Sequence, residues 1–172
     1  MNQHDLLPFR LMAIALTTRG LGFGVLEGEK SLVESGHTSV GKDDKNVRCL
    51  AKIKKLITRY RPDALILQDV TAKDSRRRQR IKILHRQVMA FAIEHKLRVA
   101  LISETQLRIL LLANANGTKH EIAEILAKQF PDELVLWLPP KRRAWDSADS
   151  RMDIFDAVAL AVAFRIQKGG EV

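Results

Sequence analysis

Three strand-like runs crowd into the first forty residues, Arg10–Thr17, Gly22–Leu26 and Ser31–Val40, joined by stretches of only a few residues. Parallel neighbours need a crossover of about a dozen residues or more, so connections this short restrict the three runs to an antiparallel meander. Beyond Val40 the period changes. Val47, Leu50, Ile53, Ile57 and Tyr60 recur at helical steps, Asp43 and Asp44 stand where a helix N-cap is favoured, and Pro62 ends the run. The next segment, Ala64–Val70, is a short apolar run of the kind that forms a central parallel strand covered on both faces. A meander, a helix and a parallel strand in that order describe a mixed sheet.

The rest of the chain continues the alternation. A basic segment, Lys73–Arg86, leads into a helix with the apolar stripe Ile81, Leu84, Val88 and Phe91, ending near His95. Arg98–Ile102 reads as a strand, and Ser103 can cap a helix over Glu104–Ala113. Asn114–Gly117 is a turn, and Thr118 with Glu121 fits a capping box for a helix reaching Phe130. Pro131, Pro139 and Pro140 bound an irregular stretch before a last helix over Asp149–Arg165. The expected fold class is α/β, three antiparallel strands then parallel strands flanked by helices, in one domain over 1–172 with loose tails at 1–9 and 167–172. At 172 residues and 46% apolar, the chain can bury a sizeable core unaided. Cys49 is the sole cysteine, which excludes an internal disulfide and a multi-cysteine zinc site and agrees with a reducing cytoplasm. The apolar stretch Leu11–Leu16 is too short for a leader or a membrane span, so export and membrane insertion are not expected.

Two features carry chemistry. In the last helix, at about 100° per residue, Asp149, Asp153 and Asp156 fall within an arc of about 60°, with Phe155, Val158, Ala159 and Val162 opposite. Leu160 lies on the acidic arc, so the helix is packed on both sides and the aspartates are partly enclosed. Carboxylates crowded there suit a hard, oxygen-seeking cation such as Mg²⁺ or Mn²⁺; equally, acids in a solvated first turn suit the helix dipole. The second feature is charge. The formal net charge is +9, and seven of the fourteen residues in Lys73–Arg86 are Lys or Arg. Arg76, Arg77, Arg78, Arg80, Lys82 and Arg86 are candidate phosphate contacts, against a reading as a solvated helix start. Lys141–Arg143 adds a second basic cluster, and Trp137, Trp145 and Phe23 either stack on bases or pack. No histidine spacing suggests zinc, and Gly20-Leu-Gly22-Phe-Gly24 lacks the lysine and following helix of a phosphate loop.

The element order, with Ala13–Val25, Ile57–Gln68, Thr118-Lys119 and the ending Asp153-x-x-Asp156, resembles the RNase H-like superfamily and, within it, the RuvC-type Holliday junction resolvases. The resemblance runs from about Met12 to Phe164. It implies four acids holding two divalent ions, Mg²⁺ or Mn²⁺, which would be one on the first strand, one on the strand after the first helix and two on the last helix. Only Asp153 and Asp156 keep that pattern. The first-strand acid falls at Leu16, with Thr17 as the other register, and the second at Gln68, which keeps the shape of Glu without its charge. Asp149 and Asp69 are the candidates to compensate, although Asp69 should face away from Gln68 unless the strand ends or bulges there. Lys119 matches a basic position that the resemblance places near the scissile strand, and Arg108 stands at a second. Two missing charges in a site for two dications is a large electrostatic loss. The expected function is therefore a RuvC-like nucleic-acid-binding protein with weakened or absent cleavage; the resemblance implies DNA, branched DNA included, as its partner and a homodimer as its assembly. The alternatives are an active Mg²⁺-dependent endonuclease and a non-catalytic assembly module.

Overall fold

The computed structural model describes residues 9–71 and 77–169. The meander forms as β1 (Arg10–Leu16), β2 (Gly20–Glu27) and β3 (Ser31–Ser39), antiparallel throughout. Two parallel strands, β4 (Ala64–Gln68) and β5 (Arg98–Ile102), add to the far side of β1, giving a five-stranded sheet in the order β3-β2-β1-β4-β5. The expected mixed sheet is what the chain builds. β2 starts two residues before the Gly22 expected, so Gly20, Gly22 and Gly24 all lie inside it; the turn is Thr17–Arg19, where the Thr17 amide donates to the Gly20 carbonyl at 3.0 Å.

Each face of the sheet has its own core. Met12, Ile14, Leu16, Leu65 and Leu67 point towards α1 (Lys45–Tyr60) and α2 (Gln79–Glu94), meeting Ile53, Ile81, Leu84 and Val88. Leu11, Ala13, Ala64 and Ile66 point the other way, towards α6 (Met152–Gly169), with α3 (Glu104–Leu112) and α4 (Lys119–Gln129) packed outside it. Alternation along β1 and β4 thus feeds two layers of helix.

The helix starts obey local chemistry. Both Ser103 and Thr118 form full capping boxes, with Gln106 and Glu121. Asp44 takes the N-cap position of α1 but in a left-handed conformation, φ 50°, with no side-chain cap. The stretch after Pro131 is less irregular than expected, holding a short helix, α5 (Pro131–Leu134), and a 3₁₀ turn, Val135–Trp137. The last helix differs at both ends. It begins at Met152, not Asp149, and continues to Gly169, so residues 167–169 are helical. Residues 149–151 form a tighter turn, in which Met152, Asp153 and Ile154 each donate to the carbonyl three residues back at 3.1 Å. No helix among the described residues is long and apolar enough to cross a membrane.

Candidate functional site

The carboxyl ends of β1 and β4 lie side by side, with the start of α6 across them. The parallel register pairs Ile14 with Leu67, which brings Ala15 beside Gln68 at the next step. Both residues, with Arg77, Arg108, Lys119 and Asp156, line one small cavity on the α6 side. This corrects the expected register of the first strand. Leu16 packs into the core under α1 and α2, on the opposite face from α6, because a shift of one residue along a strand reverses the side chain. The β1 residue next to Gln68 on the site's face is Ala15, and the next on that face, Thr17, donates its hydroxyl to Asp153 Oδ2 at 3.1 Å.

Asp153 is only 2% exposed. Arg19 Nη2 donates to its Oδ1 at 2.8 Å, and the same guanidinium is held by the carbonyls of Ala148 and Asp149 at 2.9 and 3.3 Å. Burial pushes the Asp153 carboxyl above the ordinary carboxylate range; Arg19 and Thr17 oppose that, and Asp156 adds to it. The helix comes this close because β2 offers it glycine: a Cβ on Gly22 would lie 1.9 Å from the Asp153 carbonyl oxygen, and one on Gly24 would lie 2.9 Å from Val158 Cγ2. One turn along, Asp156 accepts from Lys119 Nζ at 3.1 Å. That lysine is the first residue of α4, fixed by the Thr118 capping box.

Gln68 is held from two sides. Its side-chain oxygen accepts from Arg77 Nη2, and Arg77 Nη1 reaches the Leu16 carbonyl at 3.4 Å. Its backbone carbonyl lies 3.1 Å from His85 Nε2, which is buried in α2. A carbonyl only accepts, so Nε2 is the donor in this pair; burial lowers the His85 pKa, against the Gln68 hydrogen bond and the Asp69 charge. Neither Arg19 nor His85 was a site candidate from sequence. The signal for His85 was its place beside Ile81, Leu84 and Val88 on the α2 stripe; Arg19, 134 positions from its partner, had none.

The other candidate acids do different work. Asp149 precedes α6 and is gripped by Arg151, at 2.6 Å from Nη2 and 3.0 Å from Nε, which holds its pKa at about 2. Asp149 does line the larger cavity with Asp153 and Asp156, but as a turn residue and not on the helix's acidic arc. Asp69 lies just past the end of β4 and closes the next turn, accepting from the Thr71 amide at 2.9 Å and hydroxyl at 2.7 Å. Among the described residues no three of His, Cys, Asp and Glu gather so as to hold a metal ion. The donor set explains why. Asp153 and Asp156 already carry Arg19 and Lys119, Gln68 carries Arg77, and Ala15 contributes a methyl group. A hard dication wants about six oxygen ligands, several of them charged, and these residues do not fit the pair of ions that the resemblance implies.

Together these side chains form a basic trough. A cavity of about 580 Å³ is lined by Arg19, Arg77, Lys119, Lys141 and Arg142 around Asp149, Asp153 and Asp156. Thr18 also borders a second cavity, of about 180 Å³, with Lys42, Lys45, Arg78 and Arg80. Arg80 is pinned there by the Thr17 carbonyl at 3.0 Å and by Asn46 at 2.8 Å, and Lys45 by the Thr18 carbonyl at 2.6 Å. Lys82 and Arg86 lie further along α2 and border neither cavity, and Arg108 pairs with Glu104 at 2.7 Å on the rim of the small one. Arg76 lies outside the described residues. Of the aromatics, Phe23 is core, Trp137 meets His37, and Trp145 is 78% exposed beside Arg143.

No family model matches the chain. No curated protein sequence matches it either. Solved structures do. RuvC of Thermus thermophilus superimposes with a TM-score of 0.69 at 16% identity, over 95% of this chain and 98% of that one. The same protein in complex with Holliday junction substrate gives 0.68 at 18%, over 95% and 96%. The yeast mitochondrial Holliday junction resolvase Ydc2 gives 0.62 at 12%, over 96% and 82%. With its strand order and helix placement, this chain therefore has the fold of the RuvC-type Holliday junction resolvases.

Proposed function

We propose that the chain binds branched DNA through the basic trough at the carboxyl end of its sheet, and that its phosphodiester cleavage is weakened or lost. The observation that carries the reading is the convergence of Arg19, Arg77, Lys119, Arg78 and Arg80 around one sheet end, from three separate stretches of the sequence. Backbone phosphates seated along such a row release their counterions, which supplies most of the affinity without reading sequence. That the partner is branched DNA is supported by the solved complexes of similar fold, RuvC and the fowlpox virus resolvase, each with Holliday junction DNA. The loss of cleavage is supported by the methyl group of Ala15 and the amide of Gln68 on the face shared with Asp156. A free, buried Cys49 suits a reducing cytoplasm, and the homodimer implied by the resemblance is checked by the sedimenting mass of the free chain.

The test is a titration of a four-way junction and a matched duplex over a range of salt, with nicking measured in Mg²⁺ and in Mn²⁺. The junction should bind more tightly than the duplex, with an affinity that falls steeply with salt and with little or no nicking. Nicking at an appreciable rate that Asp153→Asn abolishes would establish the endonuclease reading instead. Absence of DNA binding at low salt would leave the assembly-module reading.

A further inference from the structure

We infer that Arg19, Arg77 and Lys119 are the built-in counter-cations of this site, so that the chain grips a DNA phosphodiester there with no divalent ion. The inference rests on the DNA-binding reading above and deepens it. Asp153 is closed off by two donors, Arg19 at 2.8 Å and Thr17 at 3.1 Å, at 2% exposure. The Arg19 head group is not free to swing away, since the Ala148 and Asp149 carbonyls hold the same guanidinium. Lys119 sits on Asp156 with its side chain still 50% exposed, so its ammonium has protons left for a ligand in the cavity. Arg77 is fixed by the Gln68 side chain and the Leu16 carbonyl, and it borders both the small cavity beside Gln68 and the large one beside Asp153.

The charge balance gives the direction. Three cations face two carboxylates and a neutral amide, so these groups carry a surplus of one positive charge before any ion enters. A dication entering would have to break the Arg19 pair in a nearly buried place and sit among like charges, which low dielectric makes costly. A phosphodiester brings a single negative charge and acceptor oxygens, which suit the Lys119 ammonium and the fixed positive charges of Arg19 and Arg77 that line the cavity. Lys141 and Arg142, which also line the large cavity, extend the same preference outward.

The experiment measures affinity of the full chain for a fluorescent four-way junction in EDTA and in Mg²⁺ at matched ionic strength. A dissociation constant in EDTA no more than about twofold above that in Mg²⁺ supports the inference, because phosphate contacts by Lys and Arg need no specific ion. Binding at least about tenfold weaker in EDTA would overturn it and leave the DNA-binding reading standing. Absence of binding in both buffers would instead overturn that reading and the inference with it. Free-Mn²⁺ spectroscopy gives a second readout that needs no DNA: uptake of Mn²⁺ by the wild type, lost in Asp153→Asn, would overturn the inference. In EDTA, Arg77→Gln and Arg19→Gln should each weaken junction binding several-fold. Arg77 touches no buried carboxylate, so its variant gives the result even where Arg19→Gln fails to fold, and an unchanged affinity for folded Arg77→Gln would overturn the assignment.

Discussion

Asp153 and Asp149 stand four residues apart and respond to pH in opposite senses. Burial raises the Asp153 value in the folded chain, so this residue favours folding below the ordinary carboxylate range, and that contribution is lost as pH rises through the raised value. Arg151 lowers Asp149 to about 2, so its contribution is present above 3.8 and is lost as pH falls through about 2. Asp153→Asn removes the buried charge and keeps one acceptor oxygen, for Arg19, while its NH2 group faces the Thr17 hydroxyl as a donor. Because the variant lacks the titration that costs the wild type stability as pH rises, its thermal midpoint relative to wild type should be higher at pH 7 than at pH 3, as calorimetry across that range would record. The reverse experiment adds charge. Ala15→Asp with Gln68→Glu puts two more carboxylates beside Asp156 at a position where Ala15 is 6% exposed. In EDTA this variant should be less stable than wild type by about 3 kcal/mol, the scale of an unpaired buried charge. Mn²⁺ should return about 2–3 kcal/mol at a hundred times its dissociation constant while leaving the wild-type melting curve where it was, which thermal melts would measure. The residue scale is also where sequence was least legible. Leu11–Leu16 is buried on both faces, so no polar alternation marks which side chains meet α6, and Ala15 could not be told from Leu16. Asp149 fitted the helical arc until the tighter turn at 149–151 rotated it off the series.

At the scale of elements, local rules were sufficient for the meander and for two of the helix starts. The meander is dictated by short connections, and the starts of α3 and α4 by capping boxes that their own residues complete. The closeness of α6 to β2 was not legible, because a glycine in a strand reads equally as a bulge, a bend or a close approach. Here it is the last. Gly22→Ala sets a Cβ against helix backbone, 1.9 Å from an oxygen and 2.3 Å from a carbon of Asp153, and no rotamer change relieves that. A loss of about 3 kcal/mol or more is expected, at the upper end of what overpacking costs, and denaturant unfolding would measure it. Gly24→Ala meets only a side-chain methyl, at 2.9 Å, and should cost less, because Val158 has some freedom to shift.

For the molecule as a whole, a net charge of +9 attracts polyanions, and on the DNA-binding reading the trough is where they would be received. Arg77, Arg78 and Arg80 border the trough, whereas Lys82 and Arg86 do not. Replacing the first three by Ala should reduce the slope of log affinity against log salt by about 2–3, on the scale of 0.9 per phosphate, and replacing the other two should change it by less than about 1. Equal effects would assign the whole segment to diffuse attraction. The anchoring of the trough has one more consequence. Arg19 comes from the turn between β1 and β2, Arg77 from the approach to α2 and Lys119 from the start of α4, and these elements are rooted in cores on opposite sides of one sheet. The backbone positions that carry the three cations are then set by the sheet, and on the DNA-binding reading it is the nucleic acid that bends to match them. A continuous duplex resists that bending elastically, whereas the arms of a junction already diverge at the branch, so a preference for branched DNA can arise from mechanical compliance alone, with no base read and no bond cut.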